Sequence, residues 1–99
     1  MSKEFSIMPE SSKYATRRFP GLERHEIFYG SLYRSRSIED GLVVWLTPDM
    51  HRGYNGIHGS GKDGDKFRQE LKQLGQQVAM DYYKWTEQEF IDRYGKSYL

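Results

Sequence analysis

Residues 41–46 read "GLVVWL", and they decide the fold. Two valines followed by a tryptophan are β-branched and aromatic residues that suit a pleated, extended chain. Asp40-Gly41 before them and Thr47-Pro48 after them are turn residues, so the run has a strand's length and borders. Neither alternate set of side chains is polar, which predicts burial on both faces. Such a strand needs a partner along its edge, and "HEIF" at 25–28 is the nearest candidate. The two are expected to form an antiparallel β-hairpin. The stretch between them, "SLYRSRSIED" at 31–40, has no clear apolar period and reads as a loop with at most a helical turn.

Downstream of the strand, Pro48, Gly53, Gly56, Gly59, Gly61 and Gly64 argue against a regular helix between Thr47 and Gly64. A long helix is predicted next. Phe67, Leu71, Leu74, Val78, Tyr82 and Trp85 are spaced by three or four residues and mark one apolar face. Asp63 and Asp65 suit its N-terminal end, where the helix dipole favours acidic groups. Gly75 weakens the helix by about 1 kcal/mol relative to alanine, which points to close packing there. A second helix opens at Thr86 with Glu89 three residues on, a capping box, and Phe90, Ile91 and Tyr94 form its inner face. Gly95 fits the position that ends it, and the tail "KSYL" is expected to fold back onto the core. Residues 1–22 are polar and read as an irregular lead-in ending in a turn at "FPGL". The predicted class is α+β: a short β-hairpin, a glycine-rich loop, a long amphipathic helix and a short C-terminal helix.

Ninety-nine residues suffice for one modest core. With 36% hydrophobic residues but 15% aromatic, that core is expected to be aromatic-rich. The net charge of +1 selects no class of partner. Between Ser11 and Arg36 there are six basic residues (Lys13, Arg17, Arg18, Arg24, Arg34, Arg36) against two acidic (Glu23, Glu26), a patch that can meet phosphates. There is no cysteine, so disulfides and thiolate zinc sites are excluded. No run has the length of a membrane span, and the N-terminus lacks the apolar stretch of a signal peptide. The expected location is the cytoplasm of the host cell, with no membrane partner.

All three histidines, His25, His51 and His58, flank the two predicted strands. An antiparallel hairpin sets the start of one strand beside the end of the next. His25 is thereby brought within reach of the loop that carries His51 and His58, and three imidazoles meeting at one point are a metal site. Imidazole suits zinc, iron and nickel, whereas magnesium and manganese prefer added carboxylate and water. Glu26, Asp49 and Asn55 are the nearest oxygen donors in sequence. The competing reading makes the histidines ordinary polar and packing residues.

Several segments together carry a resemblance: "GLERHEIFYG", "DGLVVWLTPDMHRG", "NGIHG" and the terminal "FIDRYGKSYL". In order and spacing the chain from about Gly21 to Leu99 resembles the small phage-borne HNH-type proteins of the His-Me finger superfamily. The resemblance implies a ββα-metal core over residues 23–99, a divalent metal (magnesium, manganese or zinc) and phosphodiester hydrolysis of DNA. It implies metal binding by His51 and His58. His25 and Glu26 fall on the catalytic first-strand motif in one of two registers. Either His25 is a ligand and Glu26 stands where the general base is expected, or His25 is the base and Glu26 a candidate ligand. A glutamate is a weaker proton acceptor than a histidine, so a Glu26-based enzyme would be slow. Arg24, Arg34, Arg36 and Arg52 are the expected phosphate contacts. The chain departs from the pattern at Thr47 and Met50, where many relatives carry cysteines, and at Gly41, where an asparagine is common.

Two functions follow from this reading. One is a metal-dependent DNA endonuclease or nickase. The other is an inert HNH-like scaffold that binds DNA or a host protein, such as a defence nuclease of the CRISPR type that it would inhibit. Tyr14, Tyr29, Tyr33, Tyr54 and Tyr98 lie outside the predicted helix stripes and are available for such contacts.

Overall fold

A strand without a polar face organises the molecule. The structure, a computed structural model, describes residues 5–99, and residues 1–4 of the lead-in lie outside the described residues. β1 (Glu23–Glu26) pairs antiparallel with β2 (Val43–Leu46), setting Glu23 opposite Leu46 and His25 opposite Val44. The strand pair and four helices among the described residues make an α+β fold. No described helix is long and apolar enough to cross a membrane.

All four residues of β2 are buried. Its second edge is covered by the lead-in, whose Ala15 exchanges both backbone hydrogen bonds with Trp45 at 2.9 Å. Ser6 Oγ donates to the Val43 carbonyl at 2.7 Å, and Met8 and Tyr14 are buried in the core. The lead-in is irregular in backbone yet integral to the packing, and Tyr14 is unavailable as a surface contact.

The segment expected to be a loop is a helix, α1 (Tyr33–Asp40). Its only fully buried residues, Ser37 and Asp40, are polar, so no apolar period announces it. Contacts remote in sequence hold it instead. Ser37 Oγ donates to the Phe28 carbonyl at 2.7 Å and accepts from the Phe28 amide at 3.1 Å. Asp40 accepts from Arg93 Nε and Nη2 at 2.8 and 2.9 Å and from the Tyr94 hydroxyl at 2.6 Å. Gly41, expected at the border of the strand, caps α1 in the left-handed conformation (φ 74°), a shape that glycine adopts without strain.

A second short helix, α2 (Pro48–Arg52), stands where glycine content predicted none. The glycines all follow it, while Thr47 accepts a cap bond from the Met50 amide and Pro48 takes the first turn. The long helix, α3 (Lys62–Tyr83), starts before Phe67 and ends before Trp85, because Lys84 turns left-handed (φ 60°). Its buried face runs through Leu71, Gly75 and Ala79, so Tyr82 is 58% exposed and Tyr83 turns inward instead. A Cβ on Gly75 would lie 3.1 Å from Ile27 and 3.4 Å from Phe28, the close packing its position suggested.

The capping box of α4 (Glu87–Tyr94) forms in full, with Thr86 and Glu89 satisfying one another's backbone amides. Phe90 and Tyr94 are buried and Ile91 is half-buried. In the tail, Tyr98 packs on the core and its amide donates to buried Gln76 at 2.7 Å, but Leu99 is exposed.

Candidate metal centre

The register sets Glu23 opposite Leu46, where the chain leaves β2 for α2, and His25 two residues further along β1, opposite Val44. Alternation along β1 puts Glu23 and His25 on one face, toward α2. His51 lies near the end of α2, whose cap is Thr47. Two backbone hydrogen bonds then fold the glycine-rich loop back on that helix: Ile57 N to Met50 O at 2.7 Å and His58 N to His51 O at 3.0 Å. Buried Ile57 anchors the loop from below. His58 is thus held beside His51 by main chain.

The three imidazoles converge. One ring nitrogen from each of His25, His51 and His58 lies within 4.8 Å of the others. Ring centroids are 5.4 Å apart for His25–His51 and 4.9 Å apart for both His25–His58 and His51–His58. Three nitrogens bound at about 2.0–2.1 Å to one tetrahedral ion stand about 3.4 Å apart, so modest ring movement closes the set on a metal. No carboxylate joins the group among the described residues; Asp49 and Glu26 are outside it.

Electrostatics favour the neutral form of His25 and His58. Burial first, then the neighbouring His58 and His51, hold the His25 imidazole far below its ordinary 6.5, at about 3. Burial and His51 also lower His58. A neutral imidazole has the lone pair that a metal needs.

Glu23 supplies the orientation, a role that sequence reasoning missed. Its Oε1 lies 2.8 Å from His51 Nδ1, and because a carboxylate only accepts, the proton sits on that nitrogen and the free lone pair on Nε2. Arg52 holds the same carboxylate with Nε at 3.0 Å from Oε1 and Nη2 at 2.8 Å from Oε2. Hydrogen bonds from Arg52 and then His51 hold the Glu23 carboxyl at about 2, well below the usual range. A carboxylate behind a ligating histidine is the ordinary outer support of a metal site. The period-two spacing of Glu23 and His25 was the available signal.

The other expected residues are used differently. Glu26 is held by Arg24 Nε at 2.9 Å and Arg34 Nε at 3.3 Å, one guanidinium on each oxygen. Arg52 is paired with Glu23. Arg36 reaches across to α4 and donates to the Arg93 carbonyl at 2.8 Å. Tyr29 closes one side of the centre, its ring 5.0 Å from His58 and 5.8 Å from His25. From α3, Arg68 Nη1 donates to the carbonyl of Ile57, the residue before His58, at 2.8 Å.

No protein-family model, curated protein or solved structure matches the chain. Three histidines from a strand, a short helix and a glycine-rich loop lie close enough to hold one metal ion.

Proposed function

We propose that the protein is a metal-dependent phosphodiesterase of HNH type that acts on DNA, with β1, β2 and α3 as a ββα-metal core. One observation carries the reading: a ring nitrogen from each of His25, His51 and His58 lies within 4.8 Å of the others, beside the strand pair. A site with three protein donors leaves a fourth position for water or substrate, as hydrolytic centres do and closed structural centres do not. A divalent ion there would polarise a phosphate oxygen and activate water.

Of the two registers, the geometry favours His25 as ligand. A buried ring that takes up a proton only near pH 3 is a weak base and a good neutral donor. An all-imidazole set suits zinc better than magnesium or manganese. Glu23 orients His51, and Arg52 holds Glu23. Glu26 then stands in the base position.

One observation favours the second reading, a scaffold that binds DNA or a host defence nuclease without cutting. Both oxygens of Glu26 are engaged by Arg24 and Arg34, which opposes its use as a proton acceptor. The experiment is a supercoiled-plasmid assay with zinc, manganese or magnesium, paired with zinc-binding titration. The enzyme reading expects nicking that His51→Ala abolishes. Zinc bound at one per chain without nicking contradicts it and leaves the binding scaffold, for which co-purification from a host that carries defence nucleases identifies the partner.

A further inference from the structure

Three of the arginines expected to meet phosphate are already engaged by carboxylates: Arg24 and Arg34 share Glu26, and Arg52 pairs with Glu23. A cation without such a carboxylate, Lys72, lies on α3. Lys72 is half-buried, its Nζ 4.6 Å from the Tyr29 ring centroid and 5.3 Å from that of Tyr98. Tyr29 is the same ring that touches His25 and His58, so the ammonium stands one ring away from the histidine centre. Among the described residues Lys72 has no ion-pair partner.

Two more cations share this face. Arg68 precedes Lys72 by one helical turn, which sets both on one side of α3, and it is tied to the carbonyl beside His58 and to Asp65. Lys96 Nζ lies 5.0 Å from the Tyr98 ring centroid. Burial, then Arg68 and Lys96, lower the proton affinity of Lys72, as expected where like charges crowd together. Cations held together next to a centre built for a further cation call for an anion.

We propose that Lys72, with Arg68 and Lys96 beside it, forms a phosphate-binding face next to the trihistidine centre, which receives a phosphate of the DNA strand. This rests on the metal-dependent reading above and names the residues that would hold its substrate. Lys72 acts as a point charge, and the two tyrosines hold it in place.

The test measures binding of a short DNA duplex and, separately, of inorganic phosphate to zinc-loaded protein over a range of salt. Removing one cation from a phosphate lowers the slope of log K against log salt by about 0.9. Lys72→Gln is expected to lose one such increment, so that its affinity deficit is about 3.5-fold larger at 50 mM salt than at 200 mM. Its zinc affinity should stay that of wild type, and Lys72→Arg should retain the slope. An unchanged slope in Lys72→Gln, or a wild type that binds neither probe, overturns the proposal. Duplex bound through Lys72 but not cut sinks the nuclease reading and keeps this face. Inorganic phosphate bound through Lys72 without duplex binding also keeps the face, as a site for free phosphate. Cutting with an unaltered slope does the reverse.

Discussion

Two of the polar clusters among the described residues, around Asp40 and around His25, are built on opposite plans. Around Asp40, every group is spent: both carboxylate oxygens are taken by Arg93 and one also by Tyr94, while Tyr83 donates to the Asp40 carbonyl at 2.7 Å. Around His25, three ring nitrogens face one another, and the adjacent carboxylate serves only to aim one of them. A closed network ties α1 to α4 and specifies the fold. A convergent set of lone pairs adds repulsion and desolvation to the folded state unless a ligand joins it. The first cluster is therefore read as structure and the second as function.

Breaking the closed cluster should have the largest effect. Asp40→Ala leaves Tyr94 without its acceptor and Arg93 with only Glu39, 3.2 Å from its Nη2, and loss of one partner of a buried pair costs about 3–5 kcal/mol. Arg93 is 31% exposed, which places the expected loss near the lower bound of about 3 kcal/mol. Urea unfolding measures it, and a change within error would show that the network does not hold α1 in place.

The open cluster should respond to metal instead. Zinc at 100 times its dissociation constant should stabilise the wild type by about 2.7 kcal/mol, and His25→Ala should remove that gain. Thermal melts with and without zinc read both. Equal shifts in the two proteins would mean that zinc binds elsewhere.

Glu23→Gln sharpens the contrast within the open cluster. Losing the charged support of a ligating histidine lowers metal affinity by about 10–100-fold, while the strand pair stays intact. Competition with a coloured chelator gives the ratio.

Per pH unit, the acid response should differ by a smaller but diagnostic amount. In the metal-free protein, unfolding lets His25 take up a proton below its ordinary value of 6.5, whereas the folded ring resists until about 3. Stability should fall as pH drops through that window, by up to about 1.4 kcal/mol per pH unit. His25→Gln should flatten the slope by that amount. If urea midpoints in the two proteins follow pH in parallel, the ring is not held neutral by the fold.

What could be read from the chain alone divides along the same line. The α4 capping box was legible because Thr86 and Glu89 are local to one another, and "GLVVWL" because burial on two faces is written in its side chains. α1 was not legible, since its support comes from Phe28, Arg93 and Tyr94 rather than from any period within it. At the site, the three histidines could be named and their meeting inferred from strand geometry. Glu23 escaped because its partner His51 is 28 residues away. Lys72 escaped because a lysine on a helix face resembles any solvated charge until Tyr29 and Tyr98 enclose it. The arginines stand out as a cluster in the sequence, but only the folded chain shows that three of them are paired with two carboxylates.

X-ray absorption at the zinc edge, together with metal-to-protein stoichiometry, addresses the histidine centre most directly. One zinc per chain, with three imidazole nitrogens at about 2.0–2.1 Å and a lighter oxygen or nitrogen donor completing four-fold coordination, is the expected result. Zinc that fails to bind, or binds with fewer than three imidazoles, would contradict the account.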